Sequence, residues 1–332
     1  MNALSKNKTI DARITSLRAF AILAVVFGHS IILYSDSWGL YQSVHDVPVF
    51  NTIKQIINLF QMPLLFSISG FLFSRRAICN LKQLCLKKAI RLLIPYFSIA
   101  LLWMIPIRLM VGYRGYAGRT VFDILIRCIL LGEDNGHLWF LPCLYLCFLF
   151  SAAALRFFER VRLNTARSPA LLLIASVVVF SAQSLFLRIP FSSFLVNFSR
   201  YWIWFCLGFA FHETQWLHKL SKYKALFFLL SVISAALSIR VSSHLNLFAQ
   251  LAILIFAYAA VPNRSSPILD FISRNSFGLY LFHSPLIYIT FSQIPNANPF
   301  IVLVINFFLF GGTAILLTLL IRKTRLRILI GE

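Results

Sequence analysis

The sequence contains few charged residues, and acidic residues are the scarcest of them. Charged side chains make up 12% of the 332 residues, with 10 Asp and Glu against 31 Lys and Arg. Soluble domains carry about 25% charged and about 45–50% apolar residues, whereas 59% of this chain is hydrophobic. So little polar surface cannot cover so apolar a core, which excludes a soluble globular enzyme, a disordered chain and a coiled coil. The composition indicates a polytopic membrane protein.

Paired cysteines and metal-ligand spacings are also absent from the sequence. The six cysteines form no CxxC pair, and Cys143 and Cys147 lie one helical turn apart inside an apolar run, where cysteine packs as a small apolar residue. We therefore expect no metal site. The first apolar run lacks a small-residue cleavage pattern and is followed by many more runs, so we expect no cleavable signal peptide.

The net charge of +21 comes from Lys and Arg residues in short clusters between long apolar runs. This distribution is typical of juxtamembrane segments that contact anionic lipids at the cytoplasmic face. We therefore expect anionic lipids as partners and no nucleic-acid partner.

Uncharged gaps long enough for a transmembrane helix, which needs about 20 predominantly apolar residues, recur along the chain. The last gap, from Asn275 to Ile321, has room for two spans and is divided by the turn-forming segment 294–299. We predict an all-α fold with about ten transmembrane helices in one bundle, as a single domain over residues 1–332. The predicted spans are 16–34, 54–74, 90–110, 137–156, 169–188, 194–212, 224–240, 245–263, 274–293 and 299–321. The shorter apolar stretch 121–131 is expected at the outer interface or inside the bundle.

The basic residues also indicate the orientation of the chain. With a cytoplasmic N-terminus, the cytoplasmic segments carry roughly three times as many Lys and Arg residues as the external segments. The positive-inside rule therefore predicts that both termini are cytoplasmic. Lys54 and Arg108 fall in segments predicted to be external.

A histidine in the first span is the foremost functional candidate, because ionisable groups at membrane depth are costly and mark functional sites. His29 follows Arg18 by 11 residues, so both side chains lie on one helix face, about 16 Å apart along the axis. This spacing suits an elongated anionic ligand such as a coenzyme A thioester, with its phosphates at Arg18 and its reactive end at His29. The alternative is a structural histidine bonded to another helix, with Arg18 as a topology anchor.

Other polar residues lie at membrane depth or at the membrane surfaces. His283 is nine residues beyond Arg274 in the ninth span, at a depth comparable to that of His29; its alternative role is helix packing. Lys88 and Arg91 are i, i+3 neighbours at the start of the third span and can clamp phosphate, although basic residues there are also a plain topology signal. The supporting or acceptor-side candidates are Ser69, Gly70, His137, Trp139, Tyr280 and His283.

Four of these candidates form two local pairs. Ser69 and Gly70 permit close approach of a helix or a ligand near the end of the second span. His137 and Trp139 open the fourth span, where they fit an aromatic belt or a platform on which a sugar can stack.

Five ordered blocks make the chain resemble a known family. They read SLRAFAILAVVFGHS, FQMPLLFSISGFLF, KKAIRLLIPY, HLWFL and SFGLYLFHSP. The set is similar to the acyltransferase-3 family of integral-membrane enzymes, which O-acylate carbohydrates and other surface molecules with cytoplasmic acyl-CoA. The resemblance covers essentially the whole chain and implies a ten-helix fold in which the first-span histidine, here His29, is essential. It also implies that the family's basic residues match Arg18 and, for a paired-arginine motif, Lys88 and Arg91.

The chain departs from the family pattern at several positions. Lys88 replaces one arginine of the paired motif, which keeps the charge and loses the bidentate fork. The usual acidic residue and glycine that flank the first-span arginine are Ser16 and Ala19, and the usual histidine before Met-Pro in the second span is Gln61. The extra periplasmic hydrolase-like domain of some relatives is not found, so we expect the membrane domain itself to handle the acceptor.

From this resemblance we expect an O-acetyltransferase of the bacterial inner membrane, which transfers acetyl from acetyl-CoA to a hydroxyl of a surface polysaccharide or its lipid-linked precursor. Acetyl-CoA is then a substrate, and no permanently bound cofactor is expected. His29 acts either as the base that deprotonates the acceptor or as the carrier of a covalent acyl group. Two alternatives stay open: an acyltransferase with a small non-glycan acceptor, and a transporter or flippase with a histidine proton relay. The inverted repeats and paired broken helices of many transporters are not apparent.

Overall fold

The structure is a computed structural model, and ten long helices account for most of the part of the chain that it describes. It describes residues 2–35, 40–41, 43–189, 193–214, 216–241, 245–262, 264 and 266–332, and this part of the chain contains no β-strand. The helices are α1 (Asn2–Ser30), α2 (Pro48–Phe71), α3 (Ile78–Met110), α4 (Gly136–Arg160), α5 (Ser168–Ser181), α6 (Ser193–Thr214), α7 (Ser221–Arg240), α8 (Asn246–Ala260), α9 (Pro267–Gln293) and α10 (Pro299–Arg322).

Each predicted span coincides with one of these helices, although the bounds differ. α1 begins at Asn2, well before the predicted start, because no Pro or Gly interrupts the polar residues ahead of its apolar stretch. α9 begins at Pro267, where Ser266 caps the helix by accepting a hydrogen bond from the backbone N–H of Leu269. Local capping therefore sets the helix ends, while the uncharged gaps indicate only the apolar part of each helix.

Among the described residues, six helical segments are long and apolar enough to cross a membrane: Ala12–Ser30 within α1, and α3, α4, α6, α7 and α10. α5 and α8 are apolar but shorter. The prediction of an all-helical membrane fold is confirmed, whereas the count of ten crossings stays a prediction. Residue 263, at the end of the predicted span 245–263, lies outside the described residues.

The predicted turn between the last two spans is confirmed. α9 ends at Gln293 and α10 begins at Pro299. The side chain of Asn298 caps α10 by accepting hydrogen bonds from the backbone N–H groups of Phe300 and Ile301, at 3.0 and 3.4 Å. Proline at the first helical position and asparagine before it are typical helix-start residues.

Glycines bring two central helices into backbone contact. α1 packs between α2 and α9, and α2 packs closely against α6. A Cβ atom at Gly70 of α2 would lie 1.9 Å from the carbonyl oxygen of Phe205, and one at Gly208 of α6 would lie 1.9 Å from that of Ser67. Any side chain at either glycine would therefore push the two helices apart, which explains small residues at this crossing.

The polarity of the bundle is the reverse of that of a soluble protein. α7 exposes large apolar side chains such as Phe228 and Val232, whereas polar side chains lie inside. Among the buried ones, Thr290 donates a hydrogen bond to Asn306 at 2.8 Å, and Ser67 donates one to Tyr258 at 3.0 Å. Polar groups that satisfy one another inside an apolar shell are typical of a bundle surrounded by lipid.

The two ends of the bundle differ in character. At one end, here called the basic end, lie Arg18 of α1 and Lys88 and Arg91 of α3. α3 runs from there to the opposite end, here called the loop end, where residues 111–135 connect it to α4. The stretch 121–131 forms only a short helical segment within this connection, capped by Thr120, in keeping with the prediction that it is too short to cross.

Candidate active site

A cavity of about 270 Å³ lies at the basic end between α1, α2, α3, α4 and α9. Arg18, Lys88 and Arg91 all line it, and Ser69 and Tyr280 contribute polar atoms to its wall. Three cations from two helices therefore surround one space. The sequence predicted each of them as a phosphate ligand, and the structure brings them together.

Local structure in α3 directs two of these cations into the cavity. The helix changes to π hydrogen bonding over Ala89–Leu93, an irregularity that is frequent at functional sites. The ammonium of Lys88 lies 3.5 Å from the ring centroid of Phe148 on α4, a cation–π contact that holds the long side chain over the cavity. Arg91, inside the π segment, keeps an exposed side chain at the cavity mouth.

Two histidines from helices distant in sequence form a direct contact in the interior. Nδ1 of His29 on α1 lies 2.9 Å from Nε2 of His283 on α9, and the two rings are tilted by only 13°. His283 is fully buried, and its Nδ1 lies 2.7 Å from the carbonyl oxygen of Leu279. The comparable depth predicted for these histidines thus corresponds to a hydrogen-bonded pair.

A third histidine, His137, lies beside this pair and contacts a backbone carbonyl that lacks its helical hydrogen bond because of Pro285. Pro285 has no N–H group and cannot donate the helical hydrogen bond to the carbonyl of Leu281. Nε2 of His137 lies 3.1 Å from that carbonyl oxygen, and the His137 ring centroid lies 5.7 Å from that of His283. Nδ1 of His137 has no hydrogen-bond partner among the described residues. Among all the residues that the structure describes, no group of three or more His, Cys, Asp or Glu side chains is arranged to hold a metal ion.

A second cavity, of about 180 Å³, lies on the loop-end side of the histidines. His29, His137 and Trp139 line it, together with Ser284 and Tyr288. It shares Trp139 and Gly136 with a wider opening of about 630 Å³ at the loop end. His29 therefore lines a cavity that adjoins the opening at the loop end of the bundle.

Tyr280 and His137 lie between the two cavities. Tyr280 lines the basic-end cavity and His137 lines the loop-end cavity, and the Tyr280 hydroxyl donates a hydrogen bond to the backbone carbonyl of His137. The sequence suggested one ligand site from Arg18 to His29 along a single helix face. The structure instead places Arg18 and His29 on the linings of two different cavities, with the Tyr280–His137 contact between α9 and α4 lying between them.

The remaining predicted residues occupy different surroundings. Ser69 faces the basic-end cavity, whereas Gly70 contacts the backbone of α6 at Phe205 and lines neither cavity. Trp139 packs against the ring of Tyr201 at a centroid distance of 5.0 Å while still lining the loop-end cavity. Gly70 thus serves helix packing, and Ser69 lies on the side of the three cations.

Sequence reasoning missed a buried cation near the loop end. The Arg108 side chain is fully buried; it donates hydrogen bonds to the Tyr288 hydroxyl at 2.6 Å and to Asp134 at 3.2 Å, and its guanidinium lies 4.2 Å from the ring centroid of Tyr113. The positive-inside rule alone predicts an external topology residue at this position. Its position inside the predicted span 90–110, followed by a tyrosine-rich loop, was the available signal.

Lys54 is a second buried cation, and its sequence position predicts a residue of an external segment at the start of the second span. Its side chain is only 3% exposed, and its ammonium lies 3.2 Å from the point that a Cβ of Gly28 would occupy. Because α2 begins at Pro48, Lys54 lies within the packed part of the helix rather than at its start.

These features define a membrane protein with a buried polar site. The described part of the chain is an all-helical bundle with apolar exterior helices, and its internal histidine pair lies between the basic-end cavity and the loop-end cavity. The acyltransferase-3 family profile, described as an acyltransferase domain, matches residues 11–323. The chain therefore belongs to the acyltransferase-3 family, as the resemblance implied. Comparison with curated proteins and with solved structures gave no match.

Proposed function

We propose that this protein is an integral-membrane O-acetyltransferase, which transfers acetyl from acetyl-CoA to a hydroxyl of a bacterial surface polysaccharide or its lipid-linked precursor. The observation that carries the proposal is the position of the His29–His283 pair between the cationic basic-end cavity and the loop-end cavity. A transfer enzyme that keeps its donor and acceptor apart needs a reactive group between two such spaces.

The basic-end cavity is the proposed acetyl-CoA site, at the cytoplasmic face of the inner membrane. Coenzyme A carries a pyrophosphate and a ribose phosphate, and Arg18, Lys88 and Arg91 supply cations around one space. Charge-assisted hydrogen bonds from arginine to phosphate are frequently bidentate. Bound in this way, the donor directs its thioester toward Tyr280 and the histidines.

The loop-end cavity is the proposed acceptor site. A sugar ring reaches it through the wider opening at the loop end and stacks on Trp139, whose aromatic face suits the apolar face of a sugar. The hydroxyl to be acetylated then lies beside His29, and His137 offers an unpartnered nitrogen in the same cavity.

The proposed chemistry uses His29 as the base. As the acceptor oxygen attacks the thioester carbonyl carbon, the imidazole takes the hydroxyl proton; the C–O bond forms, the C–S bond breaks, and the CoA thiolate leaves and regains a proton. In the covalent version, a nitrogen of His29 attacks the thioester carbonyl first, the C–S bond breaks, and the CoA thiolate leaves with the proton that the ring loses. The acceptor oxygen then attacks the acetyl-imidazole, the C–N bond breaks, and the hydroxyl proton returns to the imidazole. Trapping of the protein with radiolabelled acetyl-CoA in the absence of acceptor, followed by peptide mass spectrometry, separates the two versions.

The function is tested by mass spectrometry of surface glycans from cells with the gene, without it, and with the His29→Ala variant. We expect O-acetyl groups only with the unaltered gene. In parallel, the purified protein in nanodiscs is assayed for acetyl transfer from acetyl-CoA. Identical glycan acetylation in all three strains, together with no acetyl transfer in nanodiscs, would contradict the proposal.

A further inference from the structure

We propose that His283 is a positioning residue that holds His29 in the tautomer with its proton on Nδ1, so that Nε2 is the reacting nitrogen. This inference rests on the proposed function for its consequence, but the proton positions follow from hydrogen-bond geometry alone. The hydrogen bonds connect a backbone carbonyl of α9 to His283, and His283 to His29.

The carbonyl end of this chain fixes the first proton. Nδ1 of His283 lies 2.7 Å from the carbonyl oxygen of Leu279 and 3.1 Å from that of Tyr280. A carbonyl oxygen only accepts hydrogen bonds, so Nδ1 of His283 carries a proton and donates it. In the neutral ring, Nε2 of His283 is then the unprotonated nitrogen.

The second proton follows from the first. The bare Nε2 of His283 faces Nδ1 of His29 at 2.9 Å. The ring centroids lie 5.2 Å apart and the ring planes differ by 13°, so the two nitrogens meet nearly end to end and the in-plane lone pair points at the opposite nitrogen. His29 therefore donates from Nδ1, and its own Nε2 keeps the lone pair. A doubly protonated His283 is disfavoured, because this fully buried ring contacts only backbone carbonyls and the His29 ring through its nitrogens, with no carboxylate among these partners in the described part of the chain.

The arrangement leaves the reactive nitrogen of His29 directed away from His283, on the edge of the ring that can face the loop-end cavity lined by His29. When Nε2 takes the acceptor proton, the positive charge is shared along the chain, and the two carbonyl dipoles at His283 stabilise it. In serine hydrolases a carboxylate holds the catalytic histidine in its tautomer. Here a second imidazole, itself fixed by the helix backbone, takes that place.

The test is ¹⁵N NMR of the full chain, labelled at its histidines, in nanodiscs. A His29→Gln variant identifies the His29 resonances. We expect a protonated Nδ1 and an unprotonated Nε2 for His29. In His283→Phe, which keeps an aromatic ring without an acceptor, the His29 proton should move in part to Nε2, whereas His283→Gln should preserve the native signature through its amide oxygen. The His137 resonances report whether each variant is folded.

Kinetics with the same variants complete the test. We expect His283→Phe to lower kcat roughly 10- to 100-fold, the range found when a hydrogen-bond partner that orients a metal-ligating histidine is lost. The KM for acetyl-CoA should change little, and His283→Gln should restore kcat. A wild-type His29 protonated at Nε2, or a His29 signature unchanged in folded His283→Phe, overturns the inference even if the protein transfers acetyl. The expected tautomer in a protein without acetyl transfer overturns the proposed function instead.

Discussion

The hydroxyl of Tyr280 donates a hydrogen bond to the backbone carbonyl of His137, and this contact forms a wall between the basic-end cavity and the loop-end cavity. The two rings also meet edge to face, with centroids 5.3 Å apart. An acetyl group that passes from coenzyme A to an acceptor in the loop-end cavity must pass this wall. Tyr280 is thus in a position to control what reaches His29 from the basic end.

The first prediction concerns this wall. Tyr280→Phe keeps the ring and removes only the hydrogen bond, so we expect a loss of about 0.5–1.5 kcal/mol in stability and little loss of transfer. Tyr280→Ala removes the ring and admits water to the thioester, because exclusion of water depends on a closed site. We expect it to raise the ratio of acetyl-CoA hydrolysis to acetyl transfer, measured as CoA released against product formed. An unchanged ratio in Tyr280→Ala would mean that the wall has no role in coupling.

The second prediction concerns the donor site. Hydrogen bonds to charged groups contribute roughly 1.5–3 kcal/mol each, so Arg18→Ala, Lys88→Ala and Arg91→Ala should each weaken acetyl-CoA binding. Arg91→Ala should have a larger effect than Lys88→Ala, because a guanidinium binds phosphate bidentately. Calorimetry on the purified variants measures the effect.

The matched control for the donor site is Lys87→Ala. Lys87 is exposed next to Lys88 and does not line the cavity, so its removal should leave acetyl-CoA affinity nearly unchanged. If all four variants bind acetyl-CoA with the wild-type affinity, these residues only set the topology and the donor site lies elsewhere.

The third prediction concerns the buried cation at the loop end. Arg108→Ala removes a fully buried guanidinium with its hydrogen bonds to the Tyr288 hydroxyl and to Asp134. Hydrogen bonds to charged groups contribute roughly 1.5–3 kcal/mol each, so this variant should strongly lower the midpoint of thermal unfolding in detergent. Arg127→Ala is the matched control, because Arg127 also pairs with a carboxylate, that of Glu133, but its side chain is 53% exposed. Such surface pairs contribute about 0–1 kcal/mol. Equal unfolding midpoints for the two variants would contradict a structural role for the Arg108 cluster.

The fourth prediction concerns orientation. With ten crossings and cytoplasmic termini, a reporter fused after Glu332 should be cytoplasmic, and one inserted in the turn between Gln293 and Pro299 should be external. α10 alone separates these two positions. Reporters on the same side of the membrane would show that α10 does not cross, and an external reporter at Glu332 would contradict the predicted orientation.

The sequence predicted those features that depend on composition and on position along one helix. Uncharged gaps located the helices, and a spacing of 11 residues placed Arg18 and His29 about three turns apart. Contacts between helices were beyond this reasoning. The approach of Tyr280 to His137 and the burial of Arg108 depend on how α3, α4 and α9 pack, and a charge count cannot distinguish a buried arginine from a topology anchor. The carbonyl of Leu281 is an exception. Because Pro285 has no N–H group, the sequence already indicates that this carbonyl needs another hydrogen-bond donor.

The central claim is that His29 is the group on which acetyl transfer depends, and its most direct test is transfer from acetyl-CoA by purified His29→Ala. A positioned base contributes about 100-fold or more to rate, so transfer should fall by at least that factor while calorimetry shows unchanged acetyl-CoA affinity. His45→Ala is the control, because His45 is an exposed histidine bonded to Asn296 at the loop end, and it should retain full activity. A folded His29→Ala protein that transfers acetyl at more than a few per cent of the wild-type rate would contradict the account.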